Sequence, residues 1–135
     1  MRVTREGDYG LRAVVYLATT AGRTVSAAEI SKKQEIPPKF LVRIMPKLVR
    51  KGVVVSVYGS KGGYRLSRQP AQISFLEVLE AIEGPLVMNE CLGEKCDCLH
   101  EHLCTMKNVW KNAQVKLMDY LGSVTFDQLR EGIAR

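Results

Sequence analysis

All four cysteines of the 135-residue chain, Cys91, Cys96, Cys98 and Cys104, lie in one fourteen-residue stretch, CLGEKCDCLHEHLC. A thiolate ligates soft metals, pairs oxidatively with a second thiol, or attacks as a nucleophile, so this stretch is where cysteine chemistry must happen. None of the pairs has the C-x-x-C spacing commonest in zinc knuckles, which disfavours a structural zinc site without removing it. Cys96 follows Cys91 after four intervening residues, Cys98 after six, and Cys104 follows Cys98 after five. His100 and His102 stand in the same stretch as two further candidate ligands.

The compartment bears on which chemistry applies. The opening MRVTREGDYGLRAVVYLATT carries charges at 2, 5, 6, 8 and 12 and has no long apolar run, so neither a secretory leader nor a membrane span fits. A cytoplasmic protein is expected, in which thiols stay reduced and clustered cysteines read first as metal ligands or redox sensors. With 46% hydrophobic and 25% charged residues, the chain has the composition of a single folded domain. Its net charge of +6 is unevenly spread. Residues 1–70 hold 14 Lys and Arg against 4 Asp and Glu, a net of +10, whereas residues 71–135 hold 6 against 10, a net of −4. The first half has the electrostatic character of a polyanion binder.

The elements that must position these residues follow from periodicity. Leu11, Val14, Val15 and Ala18 recur at i, i+3, i+4 and i+7, predicting a helix from about residue 5 to 20. Ser26 with Glu29 predicts a capping box, in which hydroxyl and carboxylate each satisfy a backbone N–H, opening a short second helix. Pro38 suits the first turn of a third helix running to about Lys51, where Gly52 takes the left-handed cap position. In that third helix Leu41, Ile44, Met45 and Leu48 form one stripe, and Lys39, Arg43, Lys47 and Arg50 fall within about 80° of one another on the other side. Pro46 inside it predicts a bend near residues 44–46. A short helix, a tight turn and a helix with a cationic outer face make a helix-turn-helix, whose second helix enters the DNA major groove.

The run VVVSVYGSKGGYRLS predicts a β-hairpin over about 53–67, with Gly62 and Gly63 supplying positive φ in its turn. A basic hairpin directly after a helix-turn-helix is a wing, so the expected fold is mainly α with a small β-hairpin: a winged helix-turn-helix followed by a long helix. Ser74 and Glu77 open a fourth helix with core residues Phe75, Val78, Leu79 and Ile82, stopped by Gly84-Pro85. After the cysteines, about 105–122 predicts a long helix with Trp110, Ala113, Leu117 and Leu121 on one face, and Thr125 with Gln128 opens a last short one. That long apolar face serves as ordinary core or as the seam of a symmetric dimer, and the dimer is favoured because it doubles the contacts to a palindromic operator.

In order along the chain, MRVTREGDYGLRAVVYLA, AAEISKKQEIPPKFLVRIMPKLVRKGVV, GGYRLSR and ISFLEVLEAIEGP, followed by a cysteine cluster and VW, resemble the IscR/NsrR group of iron-sulfur winged-helix regulators, the Rrf-two superfamily. The resemblance spans essentially the whole chain. It implies a homodimer that binds double-stranded DNA, with 1–84 as the DNA-binding region, 85–104 as a cluster-binding loop and 105–135 as dimerisation and C-terminal helices. It also implies an iron-sulfur cluster, 2Fe-2S ahead of 4Fe-4S, whose state sets DNA binding. The family pattern of three cysteines about five residues apart implies Cys91, Cys98 and Cys104 as ligands, with Cys96 as alternative or fourth. Some relatives have a histidine three residues after the last cysteine, but this chain has Lys107 there. In the nitric-oxide sensors a carboxylate from the partner's N-terminal helix completes the site, and Asp8 stands at the matching position. Lys39, Phe40 and Arg43 are the candidate base contacts, with Lys47 on the same stripe, and Arg2, Tyr58, Ser60 and Lys61 are candidate backbone or groove contacts. Val42 and Tyr58 depart from the glutamate and arginine that relatives carry. A cluster-free thiol- or zinc-dependent regulator, or a module that binds a metabolic enzyme, is the alternative. No nucleophile–base pair or phosphate-binding loop suggests an enzyme.

Overall fold

The computed structural model describes residues 3–89, 92–93 and 104–133, with side chains through 130. The chain runs α1 (Arg5–Ala18), α2 (Ala27–Gln34), α3 (Pro38–Arg50), β1 (Val54–Val57), β2 (Gly63–Leu66), a 3-10 turn (Pro70–Gln72), α4 (Phe75–Glu83), α5 (Met106–Ser123) and α6 (Phe126–Ile133). The fold is therefore mainly helical with one two-stranded antiparallel hairpin, as expected.

The apolar stripes of α1, α3 and α4 meet in one core. Leu11, Val14 and Leu17 from α1, Leu41, Ile44, Met45 and Leu48 from α3, and Val78, Leu79 and Ile82 from α4 are all buried. Two glycines let α1 approach α4: a methyl on Gly7 would collide with the Glu83 carboxyl group, and one on Gly10 with the Ile82 side chain. Phe126 of α6 is fully buried, and its N–H donates to the Ile73 carbonyl at 3.2 Å while Phe75 N–H donates to the Val124 carbonyl at 2.8 Å. The last helix thus packs back onto α1 and the 3-10 turn.

Helix starts depart from the expected capping boxes in an instructive way. Ser26 and Ser74 accept from the N–H groups of Glu29 and Glu77 at 3.1 Å each, as capping requires. The carboxylates do not return the bond to the cap backbone. Glu29 accepts from Tyr16 and Arg23, and Glu77 from Arg68, because long-range cations and hydroxyls outbid a local N–H that water can also satisfy. The Thr125 hydroxyl donates to Asp127, its near neighbour.

α3 is assigned as continuous helix through Pro46. Both Pro46 and Val42, whose carbonyl loses its donor, lie on the exposed side, so water can reach the freed acceptor. Gly52 follows the helix at φ +76°, as expected. In the hairpin, Val54 faces Leu66 and Ser56 faces Tyr64, and Val25 adds a bridge by exchanging two 2.8 Å bonds with Tyr64. The turn chemistry differs from expectation: positive φ falls on Gly59 and Gly63, not Gly62. Gly62 is required for space instead, since a side chain would strike the Val57 carbonyl.

Candidate nucleic-acid interface and cysteine segment

α3 presents the cationic face that its sequence predicts. Lys39, Val42, Arg43 and Arg50 are exposed, Lys47 is partly so, and Val42 is 74% exposed. At one edge of this face Phe40 is only half-buried and meets Tyr9 of α1 edge-on, ring centroids 4.9 Å apart. The Lys39 ammonium and Arg43 guanidinium stand 5.6 and 5.8 Å from the Phe40 ring, and Arg12 stands 5.1 Å from Tyr9. Phe40 thereby fastens α3 to α1, a packing role. Tyr58, Ser60 and Lys61 occupy the exposed hairpin tip, where Tyr58 is 91% exposed. Arg2 lies outside the described residues.

Two of the four cations are not free. Glu6, in the first turn of α1, accepts from Arg43 Nη1 and from Lys47 Nζ, each at 3.1 Å. The Lys47 hydrogen bond above all, then both positive charges, holds the Glu6 carboxyl below its usual range. Sequence reasoning missed Glu6, because its partners lie 37 and 41 residues away and no local pattern links them.

Behind the interface, Glu29 of α2 accepts from Tyr16 Oη at 2.6 Å and from Arg23 at 2.8 and 3.2 Å, locking α2 onto α1. The Arg23 bond first and the Tyr16 bond second pull the Glu29 carboxyl down to about 2, and the same carboxylate pushes the Tyr16 hydroxyl up. These bonds hold the start of α2 against α1.

Of the expected cluster ligands, Cys91, Cys96 and Cys98 lie outside the described residues, as do His100 and His102. Cys104 stands half-buried just before α5. Asp8 is exposed on α1 and pairs with Arg12 one turn on, at 2.9 Å, beside a hollow of about 550 Å³ lined by Val3, Thr4, Arg5 and Asp8. That carboxylate is accessible to an incoming group, at the cost of an exposed ion pair worth little in water. Among the described residues, no three His, Cys, Asp or Glu side chains already converge as a metal site. A site completed by the cysteine stretch, with soft thiolates and one hard oxygen from elsewhere, fits the donor chemistry of an iron-sulfur centre.

α5 has no buried residue, although Met106, Val109, Trp110, Ala113, Leu117, Tyr120 and Leu121 fall within about 120° of arc on it. Met106 and Val109 are 63% and 66% exposed. Its packing within the chain is chiefly onto α4, aided by Gln114, whose side-chain oxygen accepts from Met88 N–H at 2.9 Å. Among the described residues no helix is long and apolar enough to cross a membrane.

Comparison with known proteins bears on this arrangement directly. Residues 3–132 match the model of the Rrf2 family, described as iron-dependent transcriptional regulators. A Neisseria meningitidis protein provisionally described as an HTH-type transcriptional regulator is 35% identical over 97% of this chain and 88% of its own. The HTH-type transcriptional regulator IscR of Vibrio cholerae is 32% identical over 96% of this chain and 75% of its own. The solved structure of T. potens IscR superposes with a TM-score of 0.76 at 27% identity, covering 98% of this chain and 88% of that one. The global cysteine regulator CymR of B. subtilis shares the fold, with a TM-score of 0.80 over 97% of both chains at 22% identity. The chain belongs to the Rrf2 family of DNA-binding transcriptional regulators.

Proposed function

We propose that this regulator works as a homodimer on a palindromic operator, and that an iron-sulfur cluster held by Cys91, Cys98 and Cys104 controls its affinity for DNA. Cys96 is the alternative or additional thiolate, and Asp8 of the partner subunit is the proposed oxygen ligand. The observation that carries the reading is the concentration of every cysteine in one short segment between α4, which packs on the DNA-binding core, and α5, which has an unburied apolar face. When bound, a cluster supplies a redox-active core that exchanges ligands. The chain's own part is mechanical. Asp8 would supply one oxygen ligand, held less firmly by soft iron than a thiolate, and pairs with Arg12 when it holds no metal. The same stretch of α1 carries Glu6 and Tyr9, which hold Arg43 and Phe40 of α3, so the position of Asp8 would bear on α3. Moving a population from 1:99 to 99:1 takes about 5.5 kcal/mol, within reach of a few metal–ligand bonds.

DNA recognition is assigned to Lys39, Phe40, Arg43 and Lys47 in the major groove, with Arg2, Tyr58, Ser60 and Lys61 on the backbone or in a flanking groove. Affinity should fall about 10³- to 10⁵-fold between 50 and 200 mM salt for a dimer touching 6 to 10 phosphates. A flat salt response would sink the interface. The cluster is tested by visible absorption and by iron and sulfide analysis of protein purified without oxygen, beside Cys104→Ala. A brown wild type containing sulfide and a colourless variant are expected. A wild type that stays colourless and iron-free after reconstitution would leave the segment as a thiol or zinc element and end the iron-sulfur proposal.

A further inference from the structure

The cation stripe of α3 carries its own counter-ion. Glu6 spans from α1 to take both Arg43 and Lys47 at 3.1 Å, while Lys39 and Arg50 on the same stripe have no carboxylate partner among the described residues. One carboxylate therefore lowers the net charge of this stripe from +4 to +3 and engages two of its four cations. Glu6 is only 22% exposed at its side chain, so it lies between the two helices rather than waving in solvent, whereas Arg43 stays 61% exposed and within reach of DNA.

The turn that carries Glu6 is itself fastened. Thr4 donates to Glu83 Oε1 from its backbone N–H at 2.6 Å and from its hydroxyl at 2.5 Å, and the Thr4 hydroxyl oxygen accepts from Gly7 N–H at 3.1 Å. A methyl group on Gly7 would meet this same Glu83 carboxyl group. Glu83 is the last residue of α4, and Gly84-Pro85 follows it directly into the segment that holds the cysteines. The position of Glu6 is thus tied, through one carboxylate, to the end of the helix from which that segment departs.

We propose that Glu6 is a specificity-determining residue of DNA binding: an internal stand-in for a DNA phosphate that occupies Arg43 and Lys47 in the free protein, and that Glu83 holds in place through Thr4. Any duplex must displace Glu6 to gain those two cations. An operator does so with base-edge and phosphate contacts together, but non-specific DNA has phosphates alone. The carboxylate therefore suppresses non-specific binding more than operator binding. The inference rests on α3 being the helix that faces DNA.

The test compares wild type, Glu6→Gln and Thr4→Val on a random-sequence duplex and on an operator selected from a random pool by the wild-type protein, from 50 to 300 mM salt. Glu6→Gln changes the charge by one unit per protomer and two per dimer, so it is expected to tighten random-duplex binding by more than about tenfold near 100 mM salt and to steepen the log–log salt slope by about 2. Operator binding should change less, which lowers the ratio of specific to non-specific affinity. Thr4→Val should shift both quantities in the same direction by less. In an Arg43→Gln, Lys47→Gln background, Glu6→Gln should have no such effect, because the cations it frees are gone. Unchanged or weakened random-duplex binding by folded Glu6→Gln, while the wild type binds, overturns the inference alone. If the wild type binds no duplex even at 50 mM salt, the DNA-facing assignment of α3 falls, and this inference with it.

Discussion

Glu29 concentrates three polar bonds on one carboxylate, and its behaviour with pH follows from that. Its carboxyl is held down from 4.5 to about 2 by Arg23 and Tyr16, so the native state keeps it ionised where an unfolded chain would not. A depressed acid contributes stability that is fully present above the unfolded value near 4.5 and is lost as pH falls toward about 2. Glu29→Gln should therefore lower the unfolding midpoint at pH 7 and flatten the loss of stability between those limits. Denaturant melts at several pH values check this, and a variant with the wild-type slope throughout would remove Glu29 from the acid response. The same scale explains what sequence reading reached and what it missed. Ser26 was legible as a cap because the bond it makes spans three residues. The other half of the expected box was not, because Tyr16 and Arg23 lie 13 and 6 residues away and were closer competitors in space than in sequence.

Among the elements, α3 and the hairpin make the sharpest statements. Pro46 sits on the exposed face of an unbroken helix, and an alanine there restores a backbone bond and removes a ring that crowds the carbonyl of Val42. Pro46→Ala is expected to stabilise the protein by ~1–3 kcal/mol in equilibrium unfolding. A destabilised variant would mean that α3 needs the shape proline imposes. Gly63 is the opposite case. Its φ of +155° and the Val25 carbonyl against the site of any Cβ leave no room for alanine, which should cost ~1–3 kcal/mol and loosen the Val25–Tyr64 bridge. Amide exchange at Val25 and Tyr64 would report the loosening. The stripes of α1, α3 and α4 could be read from a period of 3.6 because burial follows it. The glycine roles in the turn could not, because positive φ and lack of space are both satisfied by Gly and only the folded backbone separates them.

For the molecule as a whole, α5 is the element whose apolar face the single chain does not cover. An arc holding Met106, Val109, Trp110 and Tyr120 left in water forfeits about 25 cal/mol per Å² of burial that a second copy would recover. Val109→Glu should therefore convert a dimer to a monomer in sedimentation equilibrium and weaken operator binding by orders of magnitude, because half the DNA contacts are lost. A monomeric wild type at micromolar concentration would overturn the dimer instead. The charge split has a related consequence: α3 and the hairpin belong to the +10 of residues 1–70, and in the proposed reading they face DNA while Glu6 tempers their binding to any duplex.

Residue types and their local spacing determined a good deal on their own: the helices, the hairpin, the cationic stripe of α3, the concentration of cysteines, and through their order the family. These rest on interactions spanning one or two helical turns, or on composition, and both are written in the linear chain. The tertiary structure decided which charges are available and which elements are bound to which. It gave Arg43 and Lys47 to Glu6, placed Phe40 against Tyr9, fastened the start of α1 to the end of α4 through Thr4 and Glu83, and returned α6 to the first half of the chain. Each of these pairs residues dozens of positions apart, and their partnership exists only once hydrophobic burial has brought the helices together.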